Sequence, residues 1–211
     1  MLLPMVPAIY GAGDAWHSCG GPDGGYVYSL AIGPQSPSII YAGTGSGIYK
    51  SSDGGSNWSL SGLAGMTISV LALNPQSPAT IYAGAGPDGL FRSINGGASW
   101  SAINNGMIYR YIDALVIDPK NPSTLYAGTA NGGIYRSANG GASWNTANNG
   151  ITNLYIEALA IDPQAPATLY AGTGSEVFKS TNAGSSWSIC GLTGTGICLY
   201  IKPADCFVRC S

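Results

Sequence analysis

Charge is what this chain has least of. Asp, Glu, Lys and Arg make up 9% of its 211 residues, eight basic against ten acidic. So thin a charge supplies no basic footprint for nucleic acid and no cationic face for membrane insertion or an acidic lipid surface. A single histidine, His17, leaves no His-based triad with spare partners and no His-rich metal site. No stretch approaches the roughly 18 apolar residues of a membrane span. No window keeps apolar residues at helical spacing either, so helices should be nearly absent. Cysteine is sparse and odd in number, so at least one thiol among Cys19, Cys190, Cys198, Cys206 and Cys210 is unpaired or bonded to another chain. The last three lack Cys-x-x-Cys spacing, and neither a metal nor a cofactor is expected.

Glycine, by contrast, is abundant, at 32 residues. Runs such as Gly43-Thr44-Gly45-Ser46-Gly47 lead into strand-like segments, without the helix N-terminus and Lys that cradle phosphate, and they read as β-turns. Low charge together with Ser, Thr, Asn, Gly and Tyr suits an extracellular or cell-envelope protein. The amino end, Met1 to Ala8, is apolar but has no basic n-region and two prolines, and it reads as no more than a signal-peptide remnant.

The organising feature is the tryptophans. Trp16, Trp58, Trp100, Trp144 and Trp187 stand 42, 42, 44 and 43 residues apart, so the chain is a tandem array. Each unit repeats four landmarks. An apolar strand ends in a Pro-x-x-Pro turn, as in Leu71-Ala72-Leu73-Asn74-Pro75 with Pro78 and Leu115-Val116-Ile117-Asp118-Pro119 with Pro122. A β-rich run follows: Ile40-Tyr41-Ala42-Gly43, Ile81-Tyr82-Ala83-Gly84, Leu125-Tyr126-Ala127-Gly128 and Leu169-Tyr170-Ala171-Gly172. A third strand ends at Lys50, Arg92, Arg136 or Lys179, and an eight-residue turn then runs into the tryptophan. Short strands rich in Ile, Tyr, Val and Leu, bounded by Gly, Pro, Asn and Ser, are antiparallel strands on tight turns. Four per unit of about 43 residues is the blade of a β-propeller, and the fold class is all-β.

The fourth landmark is Ser/Thr-x-Asp/Asn-x-Gly-x-x-Trp. It comprises Ser51, Asp53, Gly55 and Trp58, then Ser93, Asn95, Gly97 and Trp100, then Ser137, Asn139, Gly141 and Trp144, then Ser180, Asn182, Gly184 and Trp187. This resembles the Asp-box, or BNR, repeat of sialidase-type, sortilin-type and xyloglucanase-type propellers, and the repeats cover residues 26–190. The box reads as a fold staple: the Asp or Asn binds amides ahead of it, the Gly permits a positive φ, and the Trp buries a large face.

In an up-and-down meander of strands A to D, the box turns share one end of the sheet with the Pro-x-x-Pro turns. The B–C and D–A connections occupy the other end, where a rigid scaffold displays its binding residues. Strand A lies innermost, which places Asp113 and Glu157 on adjacent blades at the channel mouth, with Tyr28 and Ser69 at the equivalent positions. Tyr109, Arg110, Tyr111, Asn153 and Tyr155 crowd the same rim. Two neighbouring carboxylates are what a glycosidase needs, one as acid and one as base or nucleophile. A solvated slot that accepts any polar residue reads the same way.

The sialidase resemblance implies an arginine triad and an Arg-Ile-Pro motif. Of Arg92, Arg110, Arg136 and Arg209, only Arg110 lies off the repeat and outside the tail, and the motif is missing, so sialidase activity is not expected. Two readings are carried forward: a non-catalytic binding or scaffold propeller for a glycan or protein, and a fragment of a xyloglucanase-like glycoside hydrolase. The expected organisation is an irregular segment at 1–14, propeller repeats at 15–203 and a Cys-containing tail at 204–211. Within the repeats, blades are expected near 26–60, 67–102, 111–146 and 155–190. A lone D strand at Trp16 and a lone A strand at Leu199 to Pro203 flank them. Such an array is expected to be an open arc from a longer protein, with a strained four- or five-bladed ring and an arc completed by a second chain as the alternatives, and uncapped end blades should self-associate.

Overall fold

The computed structural model describes residues 21–22 and 25–193, with side chains up to Cys190. The Trp16 strand, the 199–203 strand, the terminal segments and all cysteines but Cys190 lie outside the described residues. No helix there is long and apolar enough to cross a membrane.

Four sheets follow one another along the chain, each a meander of four consecutive antiparallel strands. Blade 1 comprises β1 (Val27–Gly33), β2 (Ser36–Thr44), β3 (Gly47–Ser51) and β4 (Ser59–Gly62). Blade 2 comprises β5 (Val70–Leu73), β6 (Ile81–Gly84), β7 (Leu90–Ser93) and β8 (Ser101–Ala102). Blade 3 holds β9 (Ile112–Ile117), β10 (Leu125–Thr129), β11 (Gly133–Ser137) and β12 (Asn145–Thr146). Blade 4 holds β13 (Ala158–Ile161), β14 (Leu169–Gly172), β15 (Glu176–Ser180) and β16 (Ser188–Thr193). A single 3₁₀ turn, Gly86–Asp88, interrupts the β-texture in the B–C loop of blade 2.

The innermost A strands lie side by side, β1 on β5, β5 on β9 and β9 on β13, whereas β1 and β13 share no such contact. The described blades therefore form an arc. Local chemistry sets the A–B turns. In blades 2 to 4 the Oδ1 of Asn74, Asp118 or Asp162 accepts from the two amides at Gln76 and Ser77, Lys120 and Asn121, or Gln164 and Ala165. Those are Asx turns. Blade 1 has Gly33 at that position and makes a tighter reversal in which Gly33 pairs with Ser36, lengthening β2.

The Ser–Trp turns are nearly superimposable in their bonding. Ser137 Oγ, buried, donates to Asn139 Oδ1 at 2.9 Å and accepts from the amides of Asn139 and Gly141. Asn139 Oδ1 accepts in turn from the Ser143 amide at 2.9 Å. Asp53, Asn95 and Asn182 do the same in their blades. Asp53 adds a charge that the turn stabilises. Hydrogen bonds from the Asn57 side chain and amide and from Ser51 hold its carboxyl down at about 2. The residue after each Asp or Asn is left-handed, Gly54, Gly96 and Gly140 at φ 75°, 68° and 67°. Blade 4 puts Ala183 there at φ 55°, a strain of about 1 kcal/mol.

The turns of blades 2 to 4 are each gripped by the preceding blade. Tyr41 Oη and Lys50 Nζ of blade 1 both donate to the Gly96 carbonyl of blade 2, at 3.0 and 3.3 Å. Tyr82 and Arg92 hold the Gly140 carbonyl, at 3.4 and 2.8 Å, and Tyr126 holds that of Ala183 at 3.0 Å. The tryptophans complete the joint: Trp100, Trp144 and Trp187 donate Nε1–H to the carbonyls of Ser61, Ile103 and Ala147 on the preceding blade, at 3.2, 2.8 and 2.9 Å. Deeper in, the glycines of the first three Tyr-Ala-Gly runs, Gly43, Gly84 and Gly128, each pack against an isoleucine of the next blade. A Cβ on Gly43 or Gly128 would stand 2.7 or 2.6 Å from Cγ2 of Ile68 or Ile156. Ile68, Ile112 and Ile156 are wholly buried there.

That contact gives a stability prediction. Gly128→Ala should lower unfolding free energy in urea by about 1–3 kcal/mol, the usual cost of overpacking a filled core. Adding Ile156→Ala should cost less than the two single losses summed, because it removes the atom in the way. Strict additivity would show that the two residues do not share the seam.

Candidate functional site

The meander sends the Ser–Trp turns and Pro-x-x-Pro turns to one end of the sheets and the B–C and D–A connections to the other. Tyr109, Arg110 and Tyr111 lie on the D–A connection between β8 and β9, all solvent-exposed. Their loop is held rigidly. The Asn104 side chain accepts from the Leu90 amide at 2.7 Å and donates to the Asp88 carbonyl, tying this connection to its own blade's B–C loop. Asn148 repeats the clamp in blade 3, accepting from Ile134 and donating to Gly132. The Tyr109 ring covers Gly132, where a Cβ would stand 2.7 Å from its Cδ2, and the Tyr109 amide meets Tyr135 Oη. The Tyr111 carbonyl accepts from the Ala130 amide at 3.1 Å.

These contacts leave a cleft of about 310 Å³ between blades 2 and 3. Pro87, Ile108, Tyr109, Arg110, Tyr111, Ala130 and Asn131 line it. Two tyrosine faces, one guanidinium and one amide suit a polar ligand of low charge that presents flat apolar faces.

Asp113 lies one turn of the chain inward, at a β-bulge. The ladder pairs Ile112 with Thr129 and Ala114 with Gly128, so Asp113 is the extra residue between them. Tyr28 is the extra residue in blade 1. A bulge re-aims the side chain it carries. In blade 2 the equivalent Ser69 donates to the Ile112 carbonyl at 2.6 Å, joining one A strand to the next. Asp113 Oδ2 is buried without a hydrogen-bond partner among the described residues. Burial, and secondarily the Glu157 charge, raise its pKa above the ordinary carboxylate value. Glu157 is exposed, with Oε1 over Gly174. The two acids thus feel each other across the blade boundary, as their aligned positions imply.

Tyr155 is exposed on the next D–A connection, and its amide donates to Asn153 Oδ1 at 3.0 Å. The Asn153 carbonyl oxygen thus shapes the loop. Tyr155, Asn153, Asp113 and Glu157 do not line the cleft that gathers Tyr109, Arg110 and Tyr111. Sequence reading missed Pro87, Ile108, Ala130 and Asn131. Only the Asn-Asn-Gly repeat at 104–106 and 148–150 signalled that these loops are fixed.

A second cavity, about 330 Å³, opens at the opposite end between blades 1 and 2. Its polar head groups, Tyr41 and Lys50, already grip the Gly96 carbonyl there. It belongs to the blade joint, so the D–A rim is the better candidate.

No protein-family profile matches the chain, and no curated protein does. Solved structures do. An ancestral GH74 enzyme matches at a TM-score of 0.67 and 26% identity, covering 78% of this chain and 24% of that one. The GH74 xyloglucanase from Xanthomonas campestris matches at 0.68 and 19%, covering 82% and 31%. YCF48 from Cyanidioschyzon merolae matches at 0.51 and 18%, covering 77% and 55%. The chain shares the propeller fold of these proteins and spans about a quarter of the ancestral enzyme's length.

The Asp113 environment fixes the sign of a pH effect. Its pKa is raised in the fold, so the stability it contributes is present at acid pH and declines as pH rises through the raised value. Asp113→Asn should therefore raise the melting temperature at pH 7 and change it little at pH 3. A variant that destabilises equally at both would show that the ionised carboxylate is accommodated without penalty.

Proposed function

We propose that the chain is a binding propeller whose D–A and B–C rim recognises a weakly charged glycan, and that it works outside the cytoplasm. The observation that carries the reading is the cleft around Tyr109, Arg110 and Tyr111, with two exposed aromatic faces beside a guanidinium and an amide. Sugar rings present an apolar face to stack on tyrosine and hydroxyls to bond with Arg110 and Asn131. Likeness to a GH74 enzyme at 26% identity supports a carbohydrate over other polar ligands. The bonding pattern of the Ser–Trp turns supports counting them as Asp-boxes, structural in all four blades, which leaves the rim to function. Scant charge and abundant Ser, Thr, Asn and Gly support an extracellular or cell-envelope setting.

A second reading rests on Asp113 and Glu157. A carboxyl whose pKa burial pushes above the ordinary value, beside an exposed acid on the next blade, is the kind of pair that glycoside hydrolysis uses. Asp113 would give its proton to the glycosidic oxygen while Glu157 acts as base or nucleophile. The chain would then be one part of a glycoside hydrolase, its remaining substrate contacts supplied by sequence beyond this length.

Calorimetric titration with xyloglucan oligosaccharides, beside a reducing-sugar assay on the polymer, separates the readings. The binding reading expects saturable association weakened roughly tenfold by Tyr109→Ala or Tyr111→Ala, about 1.4 kcal/mol, and no hydrolysis. Hydrolysis lost on Asp113→Asn or Glu157→Gln would establish the enzyme. Binding indifferent to both tyrosines would remove the rim.

A further inference from the structure

The cations of this chain are scaffold parts, with one exception among the described residues. Lys50 and Arg92 donate to turn carbonyls of the next blade, Lys120 donates to the Gln164 carbonyl, and Arg136 donates to the Tyr126 hydroxyl and lies over its ring. Lys179 stands over the Tyr170 ring. Arg110 is exposed and makes no hydrogen bond, ion pair or ring contact with any described residue.

The repeat shows that the fold does not require this arginine. Counted from the strand A leucine, its position holds Gly25, Met66 and Leu154 in the other blades. Met66 packs against the core there. A strong base in a slot that otherwise takes glycine or an apolar residue adds nothing to a blade joint.

Its surroundings limit what it can meet. Tyr109 and Tyr111 flank it and lean on the B–C loops of two different blades. Tyr109 covers Gly132 of blade 3, and Tyr111 covers Gly86 of blade 2, where a Cβ would stand 3.9 Å from its Cζ and Oη. The segment is thus anchored on both sides while the guanidinium keeps its N–H donors unspent. Neither an Asp nor a Glu lines the cleft, and no second cation does.

We infer that the rim cleft selects a glycan carrying a uronate, a sugar whose carboxylate pairs with Arg110 while its ring stacks on Tyr109 or Tyr111. The inference rests on the glycan-binding reading of this rim and sharpens its ligand class. A uronate carboxylate projects from the edge of the sugar ring. A ring lying flat on one tyrosine therefore turns that group sideways, toward the residue between the two tyrosines. The guanidinium presents paired N–H groups that match the two carboxylate oxygens. One unspent cation offsets one negative charge, whereas a densely sulfated glycan calls for a basic patch. At about 310 Å³ the cleft lies at the small end of ligand pockets, which suits a short segment with a single charged ring.

The test is calorimetric titration of the intact chain at pH 7 with trigalacturonic acid and with glucuronosyl-xylotetraose, each beside its methyl ester, which keeps the rings and removes the charge. At low salt at least one acid should bind about five- to tenfold more tightly than its ester, the range for a charge-assisted pair in an exposed site. High salt should shrink that preference. Arg110→Gln should erase the difference between acid and ester, with an unchanged circular-dichroism spectrum. Lys120→Gln, the same change of charge at the opposite end of the sheets, should leave the difference in place. Equal binding of acid and ester would overturn the inference, as would a preference that survives Arg110→Gln or falls as far with Lys120→Gln, and each would leave the rim a site for neutral glycans. Binding of xyloglucan oligosaccharides where neither acid binds would overturn it in the same way. Failure of acids, esters and xyloglucan oligosaccharides alike would remove the glycan-binding reading as well.

Discussion

The structure hangs on one contact made three times: a tyrosine hydroxyl on strand B of one blade holding the carbonyl at the crest of the next blade's Ser–Trp turn. A neutral bond of this kind contributes about 1 kcal/mol alone. Here it is reinforced where Lys50 and Arg92 donate to the same carbonyl, and by a tryptophan N–H reaching back to the earlier blade. Short four-residue strands could not hold a sheet together unaided. The joint makes each blade a template for the next, and it explains the cations that end the third strands of blades 1 and 2, Lys50 and Arg92.

That joint divides the molecule into two ends with different duties. At the turn end, polar groups grip one another across each seam, and even the sizeable cavity between blades 1 and 2 is bounded by groups that do so. At the other end the Asn104 and Asn148 clamps fix the loops from behind and leave Tyr109, Arg110 and Tyr111 facing water. Rigid backbone beneath exposed aromatic faces is favourable for recognition, since little ordering cost remains for binding. Asp113 fits this division. A bulge turns it to the inner rim, where burial and Glu157 disfavour its charge.

Much of the architecture was legible in the tryptophan period and the repeated Tyr-Ala-Gly and Ser-to-Trp segments, because each is a local solution that the next blade must copy. The placement of Asp113 on one A strand and Glu157 just ahead of the next followed from aligning the leucines. What could not be read was how loops of unequal length pack on one another. Pro87 and Asn131 are distant in sequence from Tyr109, and their convergence depends on the asparagine clamps. The separation of Tyr155 and Asn153 from the cleft has the same origin, since they follow the next blade. Blade 1 likewise departs from the common turn because Gly33 has no side chain with which to build it.

The central claim is that function resides on the D–A rim and structure at the Ser–Trp end. Titrating the ¹⁵N-labelled protein with a xyloglucan oligosaccharide while following amide chemical shifts addresses it directly. The account predicts perturbations concentrated at residues 108–111 and 130–131, with Asp53, Asn95, Asn139 and Asn182 unmoved. Shifts gathered at those four residues, or none at saturating sugar, would contradict it.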